Sequence, residues 1–127
     1  MTLPDVGRRE LLVVKATHCL DDPERANLAC NIAAVGVASG LTVHLFLAVE
    51  GVRLALPDVG EGLTVPHAPP ISQLLDSVYA LGTVTVCAPC AARRDLSAED
   101  FREATIMGGS AGFVELASRL DATVLVY

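Results

Sequence analysis

Four short apolar runs constrain this chain most: LLVVKA at 11–16, LTVHLFLAV at 41–49, TVTVC at 83–87 and ATVLVY at 122–127. Each is too short for a buried helix and rich in branched residues, so each reads as a strand covered on both faces. Between the first two, Asp22 suits a helix N-cap and Pro23 the first helical position. Leu28, Ile32 and Val35 then recur at helical spacing, and Ser39-Gly40 closes the helix. Strand, helix and strand in succession predict a right-handed βαβ unit with parallel strands.

Residues 50–70 form a long connection rich in Gly and Pro, of a length that is usually functional or partly ordered. VRLAL at 52–56 is expected to make a helical turn within it. Ile71, Leu74, Leu75, Val78 and Leu81 form a helical stripe closed by Gly82. Ser97-Ala98-Glu99-Asp100 has the form of a capping box. Thr105-Ile106-Met107 makes a short strand before Gly108-Gly109, and Ser110 caps a helix whose apolar face carries Phe113, Leu116, Ala117 and Leu120. Five strands alternating with helices predict an α/β fold, a single three-layer α/β/α sandwich on a mainly parallel five-stranded sheet. One domain is expected over 1–127, with 1–9 as a flexible N-terminal segment.

Composition removes several function classes. Nine Lys+Arg against 15 Asp+Glu leave a net charge of −6, which argues against nucleic acid and against anionic lipid. The uncharged stretch 27–49 is split by Ser39-Gly40 and carries Asn27, Asn31 and His44, so it is not read as a membrane span. No secretory pattern follows Met1, and a cytoplasmic protein is expected. Hydrophobic residues make up 52% of the chain against 19% charged, so part of the apolar surface is expected to be covered by another subunit. With neither GxGxxG nor a phosphate-loop Lys, no nucleotide cofactor is expected.

In open parallel sheets, ligands bind beyond the carboxyl ends of the strands. Two places there carry chemistry: Thr17-His18-Cys19 after the first strand, and Cys87-Ala88-Pro89-Cys90 after a strand taken here as the fourth. The second is a CxxC at a strand end, a redox signature. A following helix N-terminus, with Arg93 and Arg94 close by, would favour a thiolate. Its late position and the lack of a facing proline loop argue against a thioredoxin. Cys19 is a candidate resolving thiol and His18 a candidate proton shuttle, or both are simply loop residues. Cys19, Cys87 and Cys90 also form a candidate metal set, although ligand count alone is weak warrant. Cys30, inside the first helix, reads as core. His44 reads as an interior or interface residue, and Lys15 as a partner for a carboxylate or an anion.

The chain resembles the DsrE/DsrF-like family, which includes sulfur-relay subunits such as TusD and DsrE and the YchN-type proteins. The resemblance covers about residues 10–127. It rests on DDPERAN, GLTVHLFLAVEGVRL, VTVCAPCAARRDL and the closing LASRLDATVLVY, in that order. It implies one α/β sandwich, assembly as a trimer or hexamer, and a persulfide cysteine that falls on Cys87. Cys90 falls where YchN-type relatives carry a second cysteine. The family's frequent Arg-Gly is here Arg94-Asp95, which is expected to alter the backbone and weaken the positive field.

The expected function is therefore a cysteine-based sulfur (persulfide) carrier or thiol-redox accessory protein. Cys87 is the nucleophile, Cys90 the second thiol, and Arg93 or Arg94 an electrostatic aid. Cys90 attacking a persulfide on Cys87 would make the carrier self-clearing. Carrier and turnover enzyme (a sulfurtransferase or thiol-redox activity) both stay open, with sulfur-donor and acceptor proteins as partners. The rival reading is a non-catalytic oligomer that binds a small ligand or metal in the same edge pocket.

Overall fold

The computed structural model describes residues 7–127. Residues 1–6 of the expected flexible segment lie outside them. Arg8 and Arg9 donate to the carbonyls of Ser39 and Ala122.

Five strands form the sheet: β1 (Leu11–Ala16), β2 (Thr42–Leu47), β3 (Thr83–Cys87), β4 (Ile106–Gly108) and β5 (Ala122–Val126). Their order is β4-β3-β2-β1-β5, and every pairing is parallel. The strand that ends on Cys87 is third along the chain, not fourth. Four helices join the strands: α1 (Pro23–Ala38), α2 (Ile71–Leu81), α3 (Ala88–Ala92) and α4 (Ser110–Ala117). No helix among the described residues is long and apolar enough to cross a membrane.

The first helix begins as its sequence dictates. The Asp22 carboxylate accepts from Arg25 N–H at 3.1 Å, and Pro23 opens the helix. Gly40, at φ 82°, turns the chain away after it. The expected stripe on α1 needs correction. Leu28 and Val35 are exposed, and the buried residues are Ala26, Asn27, Ala29, Cys30, Ala33 and Gly36. Small residues win this face because α1 runs close to the sheet: a Cβ on Gly36 would stand 2.6 Å from Leu12 Cδ2 and 3.0 Å from Val43 Cγ2. Cys30 is fully buried there, as its place in the helix suggested.

The α2 stripe is buried from Ile71 to Val78, whereas Leu81 at the end of the helix is exposed. The Ser97–Asp100 capping box forms, opening a short 3-10 turn, Ala98–Asp100. In contrast, Ser110 is the first residue of α4, Gly109 is its cap without a side-chain hydrogen bond, and Leu120 stands free of the core. The long connection is largely ordered. It holds two 3-10 segments, Val49–Ala55 and Val59–Gly62, and the buried Asn27 amide donates to Pro69 O at 2.9 Å.

Strand alternation divides the sheet into two unlike faces. Leu12, Val14, Val43, Leu45, Leu47, Val84 and Val86 point toward α1 and α2 and make the main core. The opposite face carries Leu11 and Val13, with Phe113 and Leu116 of α4 packed on them. Further across, towards β3 and β4, α4 leaves this second face open.

Candidate functional site

The connections decide where a site can lie. The connection from β3 enters α3, whose Cys90 and Ala91 join the main core. The connection from β4 enters α4, on the other face. The carboxyl ends of β3 and β4 therefore flank a crevice from which the chain departs in opposite directions, the position where open parallel sheets bind ligands. Cys87 ends β3 there, in register with Gly108 of β4.

Cys87 caps α3, and its sulfur accepts from Cys90 N–H at 3.4 Å. The side chain of Cys87 is half-buried, while Cys90 is only 8% exposed. A partner from solution thus meets Cys87 first. All four cysteines are free thiols.

The two thiols are driven apart in acidity. Burial, and then donation toward Cys90, push the Cys87 thiol up, with the Cys90 N–H working against them. Burial opposes ionisation at Cys90 as well. There the Cys87 donor, the Val49 N–H and the charges of Arg93 and Arg94 prevail and bring its pKa down. Arg93 Nη1 stands 3.9 Å from the Cys90 sulfur. Arg94 has a second task besides its charge. It donates to Cys90 O at 3.0 Å and to Glu50 Oε1 at 2.7 Å. It thereby ties α3 to the 3-10 segment Val49–Ala55.

Glu50 is the residue that sequence reasoning missed. It accepts from Arg94 and, at 3.0 Å, from Arg53 Nε. The Arg94 hydrogen bond above all holds its carboxyl below the usual carboxylate range. The i,i+3 spacing of Glu50 and Arg53 was readable. The Arg94 partner, 44 residues away, was not. Val49 adopts φ 54°, a left-handed conformation that is an outlier for a β-branched residue and costs on the order of 1–3 kcal/mol. Behind it, Gly51 presses on β1 so closely that a Cβ would lie 2.0 Å from Ala16 O. Asp95, which follows Arg94, stands in a left-handed turn at φ 56°.

Cys19 and His18 occupy the same edge but not the thiol pair. Cys19 is fully buried and its thiol is pushed up to about 11, chiefly by burial. His18 Nδ1 pairs with Asp21 Oδ2 at 2.7 Å. Among the described residues no group of three or more His, Cys, Asp or Glu side chains is placed to hold a metal ion, so Cys19, Cys87 and Cys90 do not converge on one. His67 lies in a separate groove beside Asn27 and Asn31. Lys15 finds no described carboxylate. Its ammonium stands 4.3 Å from the Phe113 ring centroid and 5.7 Å from that of Phe46. Below Cys87, the open part of the second face forms a groove of about 240 Å³ lined by His44, Phe46, Thr83, Thr85, Ile106 and Leu116, among others.

No curated protein matches the sequence. The fold is that of the crystal structure of the YchN protein from E. coli, with TM-score 0.75 and 21% identity over 93% of this chain and 99% of that one. It also matches a protein of unknown function, MTH1491 from Methanobacterium thermoautotrophicum, with TM-score 0.67 and 12% identity over 94% and 99%. The model of the DsrE/DsrF-like family matches residues 12–125. This chain belongs to the DsrE/DsrF-like family.

Proposed function

We propose that the chain is a cysteine-based sulfur carrier or thiol-redox accessory protein, working as one domain and as a homo-oligomer in the cytoplasm. The observation that carries this reading is the Cys87–Cys90 pair at the crevice between β3 and β4, with one thiol reachable and the other shielded. A sulfur carrier needs a thiol that a donor can approach, and Cys87 supplies it. Its sulfur attacks the terminal sulfur of a persulfide, the donor leaves as a thiolate, and Cys87 holds the sulfane sulfur. Family membership makes a sulfur-relay role plausible without naming donor or acceptor.

Intact-mass spectrometry after incubation with a persulfide donor tests the reading. The wild type and Cys90→Ser are expected to react through Cys87, with the Cys90→Ser chain gaining one sulfur atom. Cys87→Ser is expected to gain none at that position. Absence of any sulfur-dependent change in all three proteins would overturn it. The groove below Cys87 favours a second reading, a non-catalytic oligomer that binds a small ligand on that face. Ligand binding unchanged by Cys87→Ser would support it.

A further inference from the structure

The division of labour between the two thiols goes further than the presence of a pair. Cys87 is the reachable sulfur, and Cys90 lies behind it in the main core. Cys87 receives the Cys90 N–H, and the polar groups from outside the motif gather on the shielded member. Arg93 approaches the Cys90 sulfur, the Val49 N–H faces it, and Arg94 clamps the Cys90 carbonyl. The N–H of Val49 is held there by a backbone conformation that a β-branched residue avoids, and the two residues that follow it are pinned. Gly51 abuts the end of β1, and Glu50 bonds across to Arg94. A fold that only stored sulfur on Cys87 would gain nothing from preparing the hidden neighbour.

We propose that this chain releases the sulfur it accepts as sulfide, with Cys90 as the attacking thiolate and Glu50, through Arg94, as the positioning residue that holds Cys90 for the attack. The proposal rests on the carrier reading for the loading step. In the release step, the Cys90 thiolate attacks Sγ of the Cys87 persulfide. A Cys90–Cys87 disulfide forms, the bond from Sγ to the sulfane sulfur breaks, and its electron pair leaves with that sulfur as HS⁻. The two cysteine sulfurs are oxidised together by two electrons and the sulfane sulfur is reduced to sulfide, so one turnover needs no outside reductant. Resetting the pair takes a dithiol, which reduces the disulfide by exchange. The substrate class is a persulfide or polysulfide, and the product is sulfide rather than a transferred sulfane sulfur.

Around Cys90, the groups that bear on its ionisation are Cys87 at the end of β3, the Val49 N–H on the 3-10 segment, and Arg93 and Arg94 at the end of α3; Glu50, which also accepts from Arg53, reaches it through Arg94. Cys19, in the loop after β1, faces Glu50 and Arg53. Glu50→Gln keeps an oxygen acceptor but removes the charge that orients Arg94. Arg94→Lys keeps the charge but loses the two-pronged grip.

The test is a single turnover with reduced protein, freed of reductant, and one equivalent of glutathione persulfide. Sulfide is followed with an electrode and the protein by intact mass. Wild type is expected to release about one sulfide per loaded chain and to lose two hydrogens as the disulfide forms. Cys90→Ser is expected to keep the added sulfur on Cys87 and release none. Glu50→Gln and Arg94→Lys are expected to load normally and release about tenfold more slowly, also at a pH where Cys90 is fully ionised, and the pH midpoint of release in Glu50→Gln is not raised because the variant removes a negative charge. Normal thermal melting shows whether each variant is folded. A wild-type persulfide as long-lived as that of Cys90→Ser overturns the proposal and leaves the carrier reading intact. Release by Glu50→Gln as fast as by wild type, or slowed only through a raised pH midpoint, overturns the role given to Glu50. No loading on Cys90→Ser overturns the carrier reading itself.

Discussion

The thiols of Cys19 and Cys30 are pushed up to about 11 and about 12, in both cases chiefly by burial. In the unfolded chain both ionise in the ordinary thiol range. Between that range and their folded values the unfolded state binds fewer protons, so stability falls as pH rises, by up to about 1.4 kcal/mol per pH unit for each thiol. Chemical denaturation at pH 8 and at pH 10.5 is expected to show that fall. Cys30→Ala, which keeps a small apolar residue beside Ala29 and Ala33, is expected to flatten the slope. The other two cysteines were legible from their spacing alone, because CxxC at a strand end is local in sequence. Which of them the fold favours as thiolate was not legible. That depends on the Val49 N–H and on Glu50, brought to α3 from another strand's connection.

Among the elements, the 3-10 segment Val49–Ala55 carries the most consequence for its size. It buries Gly51, Val52, Leu54 and Ala55 and places Glu50 over α3. Gly51→Ala puts a methyl group onto the Ala16 carbonyl, a backbone atom that cannot step aside. The expected cost is about 2–4 kcal/mol, visible as a lower melting temperature. Cys90 should become more readily alkylated as the segment lifts. The strands and the caps of α1 were legible because period and capping chemistry are local, as Asp22, Pro23 and Gly40 show. The buried face of α1 was not. Large residues mark a helix face only where there is room for them, and Gly36 shows that the sheet leaves none.

At the scale of the molecule, the two faces of the sheet are covered unequally. The face beneath α1 and α2 is closed, while Ile106 remains 51% exposed at the edge of the open one. Apolar surface of this kind is commonly an interaction site, and it is where the proposed homo-oligomer would join. Ile106→Glu places a charge on that face without touching the main core. It is expected to shift the species seen by light scattering toward the 13.3 kDa of one chain while leaving the melting of the fold little changed. The overall architecture was legible because parallel strands and their helices write long patterns. The unequal cover was not, since it depends on α4 being only eight residues long. Lys15, the sole lysine of the sequence, sits on that second face between Phe46 and Phe113. Apart from the amino terminus, an amine-selective reagent therefore has a single address on this protein. That address carries a built-in gauge: its labelling rate reads how much of the second face is occupied, with no engineered probe required.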